Sequence, residues 1–89
     1  MPDEGDDRRR EFGAWLREQR ELRGYGVDRA ARYAGISATT WRRIEMGDLP
    51  SIEVAREIAH GLNLDLGDVL RRVGYPHGLW PDRRARPGE

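Results

Sequence analysis

The segment VDRAARYAGISATTWRRIEMG, residues 27–47, decides the fold class. Its first part carries apolar residues at i, i+3, i+4 and i+7, which is the spacing of one side of an α-helix. These residues are Val27, Ala30, Ala31 and Ala34. Gly35 follows directly, and glycine adopts the left-handed backbone conformation without the steric penalty that other residues incur. The segment therefore begins with a short helix that ends in a tight turn at Gly35.

The second part of the segment predicts another short helix. Ser37 is a good N-cap, and Gly47 is a suitable end. The side of this helix that faces the core comprises Thr40, Trp41 and Ile44. The outward side comprises Ala38, Thr39, Arg42 and Arg43. Two short helices joined by a turn that contains glycine form the unit that places its second helix in the DNA major groove, where arginine bound to guanine is the commonest specific contact.

The flanking sequence predicts three more helices and no strand. The first begins at Phe12 and stops at Gly24. The next runs from a Ser51 cap to about Asn63, and the last opens at Asp65. The inward side of the first helix comprises Phe12, Trp15, Leu16, Gln19 and Leu22, and that of the last comprises Leu66, Val69, Leu70 and Val73. We expect an all-α protein, a compact bundle of five helices that contains a helix-turn-helix.

The two ends of the chain differ from the middle in composition. Residues 1–10 are polar and dense in charge, so we expect a disordered N-terminal arm before a domain at residues 11–74. Residues 75–89 are rich in proline and glycine, which predicts an irregular tail. Two interpretations remain open for the apolar residues of the C-terminal third, which either complete the core or form a dimer surface. They are Val69, Leu70, Val73, Tyr75, Leu79 and Trp80.

Composition narrows the class of function. The chain has 89 residues and no cysteine, so one small domain without disulfides or thiolate metal sites is expected. His60 and His77 have no second ligand at metal-binding spacing, and no catalytic group of residues is apparent, so we predict neither a metal, nor a cofactor, nor an enzyme. No apolar run reaches the roughly 20 residues that span a bilayer, which favours a cytoplasmic protein without membrane association.

The charges are unevenly placed. The formal net charge is zero although 36% of the residues are charged, whereas proteins that bind nucleic acid usually present a basic surface. Acidic residues crowd the first seven positions, and local positive blocks occur at residues 8–10, 42–43 and 83–86. Overall neutrality is therefore compatible with a basic side on the folded domain.

The segment AARYAGISATTWRRIEMG, with the flanking LREQRELRG and PSIEVAREIAHGLNLDLGDVL, resembles the helix-turn-helix domain of phage repressors of the Cro and CI type, often called Xre-like. The resemblance covers about residues 12–73. It implies a five-helix domain that binds double-stranded DNA as a homodimer and acts as a transcriptional repressor. It also implies a structural salt bridge between Arg20 and Glu45.

The resemblance further implies a set of DNA contacts at the second helix of the motif. Ala38, Thr39 and Arg43 match positions from which this family touches bases, and Thr40 and Arg42 match positions that reach bases or backbone. With the cap residue included, the predicted DNA-binding set is Ser37, Ala38, Thr39, Thr40, Arg42 and Arg43.

Two positions depart from the family pattern. Val27 stands where many relatives have a glutamine that contacts DNA, and Asp48 stands where relatives often have a basic residue. With the zero net charge, they motivate a second hypothesis, in which the same fold serves as a protein-interaction module, an antitoxin or an adaptor, with weak DNA binding or none.

Overall fold

The computed structural model describes residues 4–75, with side chains from residue 7 onward. These residues form five α-helices and no strand, as the sequence predicted. The helices are α1 (Glu4–Leu22), α2 (Val27–Ala34), α3 (Ala38–Glu45), α4 (Ile52–Leu62) and α5 (Leu66–Val73). Within the described part of the chain, no helix is both long and apolar enough to cross a membrane.

Local capping sets the bounds of α2 to α5. Gly35 ends α2 in the left-handed conformation, with φ 74°, and donates its N–H to the carbonyl oxygens of Ala31 and Arg32. Asn63 ends α4 in the same conformation. The three predicted N-caps each accept a backbone N–H three residues on: Ser37 from Thr40, Ser51 from Val54 and Asp65 from Asp68. Each cap satisfies a donor that a helix leaves without an internal partner.

One core joins all five helices. The largest fully buried side chains are those of Trp41, Phe12, Leu16, Ile58, Leu62, Leu70 and Val69. The small residues Ala30, Ala31 and Ala34 are also buried, which lets α2 lie close to its neighbours. Gly61 of α4 lies directly against α2, because a Cβ atom there would lie 2.7 Å from the backbone of Ala34.

The prediction that Leu22 faces the core was wrong, because this side chain is 73% exposed. The inward position belongs instead to Arg23, the half-buried first residue after α1, which is spaced from Leu16 by about two helical turns. Arg23 donates its Nε–H to the Leu62 carbonyl oxygen at 3.0 Å and another N–H to the Gln19 carbonyl oxygen at 2.8 Å. A long side chain that bonds backbone carbonyls thus takes the place that the apolar pattern assigned to leucine.

Helix α1 starts earlier than Phe12, where the sequence predicted its first residue, and so enters the segment expected to be an N-terminal arm, residues 1–10. The helix begins at Glu4 and continues without a break across the expected boundary at residue 11. Acidic residues interact favourably with the N-terminal end of a helix, and an ion pair between Asp7 and Arg10, at 3.2 Å, adds a contact one turn apart. The rest of the predicted arm, residues 1–3, lies outside the described residues.

Helix α5 decides, for three of the apolar residues of the C-terminal third, between completion of the core and a dimer surface. Val69, Leu70 and Val73 are buried and complete the core, so they do not form a dimer surface. Tyr75 is half-buried and donates its hydroxyl hydrogen to the Pro50 carbonyl oxygen at 2.6 Å. Leu79, Trp80 and the rest of the predicted tail, residues 76–89, lie outside the described residues.

Candidate nucleic-acid interface

Helix α3 has an inward side that fixes it in the domain. Trp41 and Ile44 are buried, as the sequence predicted, and the indole Nε1–H of Trp41 donates to the carboxylate of Glu45. The helix has only eight residues, about 12 Å of length, and is too short to be stable alone. Its conformation therefore depends on these inward contacts.

The salt bridge between Arg20 and Glu45 is present and ties α3 to α1. The Nε and Nη2 atoms of Arg20 lie 2.7 and 3.1 Å from the two carboxylate oxygens of Glu45. The Nη1–H of Arg20 donates to the Tyr25 carbonyl oxygen at 2.9 Å, so the same guanidinium also holds the loop before α2. The hydrogen bond with Glu45 raises the pKa of Arg20 although burial lowers it. This pair supports the fold and leaves the outward side of α3 free.

A close helix contact sets the position of α3 against α1. A Cβ atom on Gly13 would lie 2.5 Å from the Glu45 carbonyl oxygen and 2.7 Å from that of Ile44. Only glycine permits this approach without a shift of the backbone. The C-terminal end of α3 is therefore held directly on α1.

Two of the predicted contact residues form the N-terminal cap of α3. The hydroxyl oxygen of Ser37 accepts the Thr40 backbone N–H at 3.0 Å, and the Ser37 hydroxyl donates to the Thr40 hydroxyl oxygen at 2.9 Å. Ser37 is exposed and Thr40 is half-buried. Ala38 is half-buried and packs against the core, although the sequence assigned it to the outward side.

The structure brings Thr39, Arg42 and Arg43 together on the solvent side of α3, where all three are exposed. Arg43 makes no ion pair with any residue whose side chain is described. Arg42 lies 3.5 Å from a carboxylate oxygen of Asp28, in the first turn of α2. The outward side of α3 therefore presents two guanidinium groups. That of Arg43 has no ion-pair partner among the described side chains, and that of Arg42 lies beside a carboxylate from the preceding helix.

The surface continues past the C-terminal end of α3. Met46 and Asp48 are exposed in the turn after the helix, and together with Gly47 they line a shallow cleft with Arg9 and Arg10 of α1. The continuous helix α1 thus carries two arginines to the edge of the candidate interface. The sequence predicts an arm rather than a helix at these arginines, because no strong cap or apolar periodicity marks the start of α1 at Glu4.

The two departures from the family pattern occupy different environments. Val27 is half-buried and packs against the core, so it supports the fold rather than the candidate interface. Asp48 is exposed, and its backbone N–H donates to the Arg43 carbonyl oxygen at 2.9 Å. Its carboxylate lies at the edge of the interface, beside the cleft that Arg9 and Arg10 line.

Sequence reasoning missed Asp28. The sequence places Asp28 in the first turn of α2. Its contact with Arg42, however, depends on the angle at which α2 and α3 cross, and the spacing of residues along one helix does not predict that angle. Among the side chains that the structure describes, no group of three His, Cys, Asp or Glu residues is arranged to hold a metal ion.

A comparison with known protein families identifies a helix-turn-helix domain in this chain. The model described as a helix-turn-helix domain, which is of the Cro and CI type, covers residues 11–77 of this chain. The matched range contains all of α2 to α5 and most of α1. No curated protein and no solved structure matches the sequence.

Proposed function

The chain belongs to the helix-turn-helix family, whose members are in general DNA-binding regulators, and we propose that it is a sequence-specific transcriptional repressor. In this proposal residues 37–46 lie in the major groove of double-stranded DNA. The observation that carries it is the division of α3 into two sides. Trp41 and the Arg20–Glu45 pair hold the inner side, while Arg43 projects outward without an ion-pair partner among residues 7–75.

The outward side chains suit particular groups on DNA. A guanidinium binds the O6 and N7 atoms of guanine through two N–H groups, so Arg43 is assigned to a guanine. The Thr39 hydroxyl suits a base edge, and the methyl group of Ala38 suits the methyl group of thymine. Ser37 and Thr40 keep their hydroxyls near the start of α3, where phosphate oxygens approach.

In the proposed function the protein is not an enzyme, and it binds DNA as a homodimer. Two copies related by a two-fold axis present their α3 helices to half-sites one helical turn apart, roughly 34 Å, so the operator is nearly palindromic. Occupation of such a site within a promoter blocks transcription. The dimer contact lies outside Val69, Leu70 and Val73, because these residues are buried within one domain.

The test begins with selection of bound duplexes from a pool of random sequence. The selected duplex and a scrambled control are then titrated by fluorescence anisotropy at two salt concentrations, since phosphate contacts make affinity fall steeply with salt. We expect one short, nearly palindromic duplex to bind far more tightly than the control. Weak, equal binding of both duplexes contradicts the proposal.

Arg43→Ala tests the contact itself. We expect it to cost about 1 to 3 kcal/mol on the selected duplex and to relax the base preference at one position of each half-site. Arg71→Ala is the control for the loss of one exposed arginine on another helix. Arg71 lies on α5, which packs against α1 and α4, and it pairs with Asp68 at 3.1 Å. An equal loss on selected and scrambled duplexes would show that Arg43 contacts only phosphate.

A second candidate function rests on an aromatic cluster at another side of α2. The Arg29 guanidinium lies 4.9 Å from the ring centroid of Tyr25 and 5.7 Å from that of Tyr33, whose side chain is exposed. Tyrosine and arginine are enriched where proteins bind one another, so this cluster favours a protein-interaction module, an antitoxin or an adaptor. This second function would be supported by two results together. Neither duplex would bind at low salt, and Tyr33→Ala would abolish association with a protein encoded beside this one. The protein-interaction function would then replace the repressor function.

A further inference from the structure

An ion pair bridges the two helices of the motif on their outward side. The Oδ1 atom of Asp28 lies 3.5 Å from the Nη2 atom of Arg42, and the two side chains are 78% and 56% exposed. An ion pair so exposed contributes little to the stability of a fold. Helices α2 and α3 already pack against each other, and Ala31 of α2 and Trp41 of α3 are both buried in the common core. The pair is therefore not needed to hold the helices together.

The pair changes what the Arg42 side chain is able to do. A free arginine on a surface samples many rotamers and binds any phosphate within reach. The Asp28 carboxylate, 3.5 Å from one terminal nitrogen, attracts the guanidinium toward α2 and leaves its other N–H groups for a planar acceptor such as guanine. If Arg42 turned toward a phosphate instead, it would leave Asp28 unpaired beside a second negative charge, and such juxtaposition of like charges disfavours the wrong partner.

We propose that Asp28 is a specificity-determining residue that positions Arg42 for a base and discourages it from binding the phosphate backbone. This inference rests on the proposed DNA-binding function and deepens it. Asp28 then differs from a residue that simply strengthens DNA binding, because it weakens binding to the wrong sequences. Removal of the carboxylate strengthens the binding of DNA that has the wrong sequence.

Asp28→Asn is the direct test, since it keeps the shape of the side chain and removes the charge. For the scrambled duplex we expect affinity to rise by about three- to tenfold, and the slope of log K against log salt to steepen by about 0.9, the value of one added phosphate contact. For the selected duplex we expect an unchanged or lower affinity. The ratio of the two affinities therefore falls at least about threefold.

Two controls separate this role from a bulk effect of charge. Glu18→Gln makes the same change in net charge at an exposed residue of α1 that forms no ion pair within the described part of the chain. We expect it to leave the affinity ratio unchanged. In an Arg42→Ala background, Asp28→Asn is expected to change the ratio by less than about twofold, because Asp28 acts through Arg42. Circular dichroism melting of each variant confirms that the fold is kept.

The outcomes are distinguishable. A wild-type protein that binds selected and scrambled duplexes equally overturns the proposed function, and this inference with it. A wild-type preference that Asp28→Asn retains in full overturns the inference alone. An equal gain in affinity for both duplexes also overturns the inference. So does a fall in the affinity ratio when Asp28→Asn is made in the Arg42→Ala background. Each of these two results would assign the effect of Asp28 to overall charge.

Discussion

Removal of the Glu45 carboxylate is expected to destabilise the domain more than any change on its outward surface. This carboxylate accepts hydrogen bonds from Nε and Nη2 of Arg20 and from Nε1 of Trp41. The side chains of Arg20 and Glu45 are only 12% and 10% exposed. Glu45→Ala therefore leaves a desolvated guanidinium and a buried indole N–H without their acceptor, and breaking such a pair costs about 3 to 5 kcal/mol. A domain of this size has a total stability of about 5 to 10 kcal/mol, so roughly half is lost.

Urea unfolding followed by circular dichroism measures the effect, and the free energy is compared at an unchanged slope. Glu21→Ala is the matched control. Glu21 pairs with Arg17 at 3.1 Å, but both side chains are exposed, so its loss is expected to cost less than about 1 kcal/mol. If Glu45→Ala costs no more than Glu21→Ala, the burial of the pair has no energetic consequence and the reasoning fails.

The double variant Arg20→Met/Glu45→Met tests the cause of that loss. Replacement of a buried pair by apolar side chains is often neutral or stabilising, since no charge remains to be desolvated. Here the recovery is expected to be incomplete, because the Trp41 Nε1–H still lacks its acceptor at a cost of about 1 to 3 kcal/mol. The double variant should therefore be more stable than Glu45→Ala and less stable than the wild type. Stability at or below that of Glu45→Ala contradicts this account.

Two further changes probe how α3 is held. Trp41→Ala removes the largest buried side chain and is expected to lower the unfolding free energy by about 3 to 5 kcal/mol in the same urea assay; an unchanged midpoint would refute its core role. Gly13→Ala gains about 1 kcal/mol of helix propensity but places a Cβ atom against the Ile44 and Glu45 carbonyl oxygens. We therefore expect a net loss of about 1 to 3 kcal/mol of unfolding free energy. A rise in melting temperature would show instead that α1 and α3 separate easily.

The sequence predicted the elements whose ends carry strong local signals. Gly35 and Asn63 adopt the left-handed conformation, and Ser37 and Asp65 cap the helices that follow them. Each signal acts through the conformation or hydrogen bond of one residue, so it is readable without knowledge of the fold. The start of α1 at Glu4 has no such signal and was placed too late.

Features that depend on how helices cross were not predictable in this way. The wrong assignment of Leu22 arose because Arg23 takes the inward position and bonds the Leu62 carbonyl oxygen of α4. The contact of Asp28 with Arg42 likewise joins two helices. The exposure of Arg43, by contrast, followed from the phase of α3 alone, since Trp41 and Ile44 fix which side faces inward.

The division of α3 into an inward side and an outward side explains how so short a helix can both fold and, in the proposed function, discriminate between DNA sequences. The contacts that hold α3, from the Ser37 cap through Trp41 to the Arg20–Glu45 pair, do not involve the exposed side chains of Thr39, Arg42 and Arg43. Substitution of Arg43 is therefore expected to change the unfolding free energy by less than about 0.5 kcal/mol. In the proposed function, residues on the outward side are free to change the preferred operator without a loss of stability, whereas any change on the inner side alters DNA binding only through the position or the population of the folded helix.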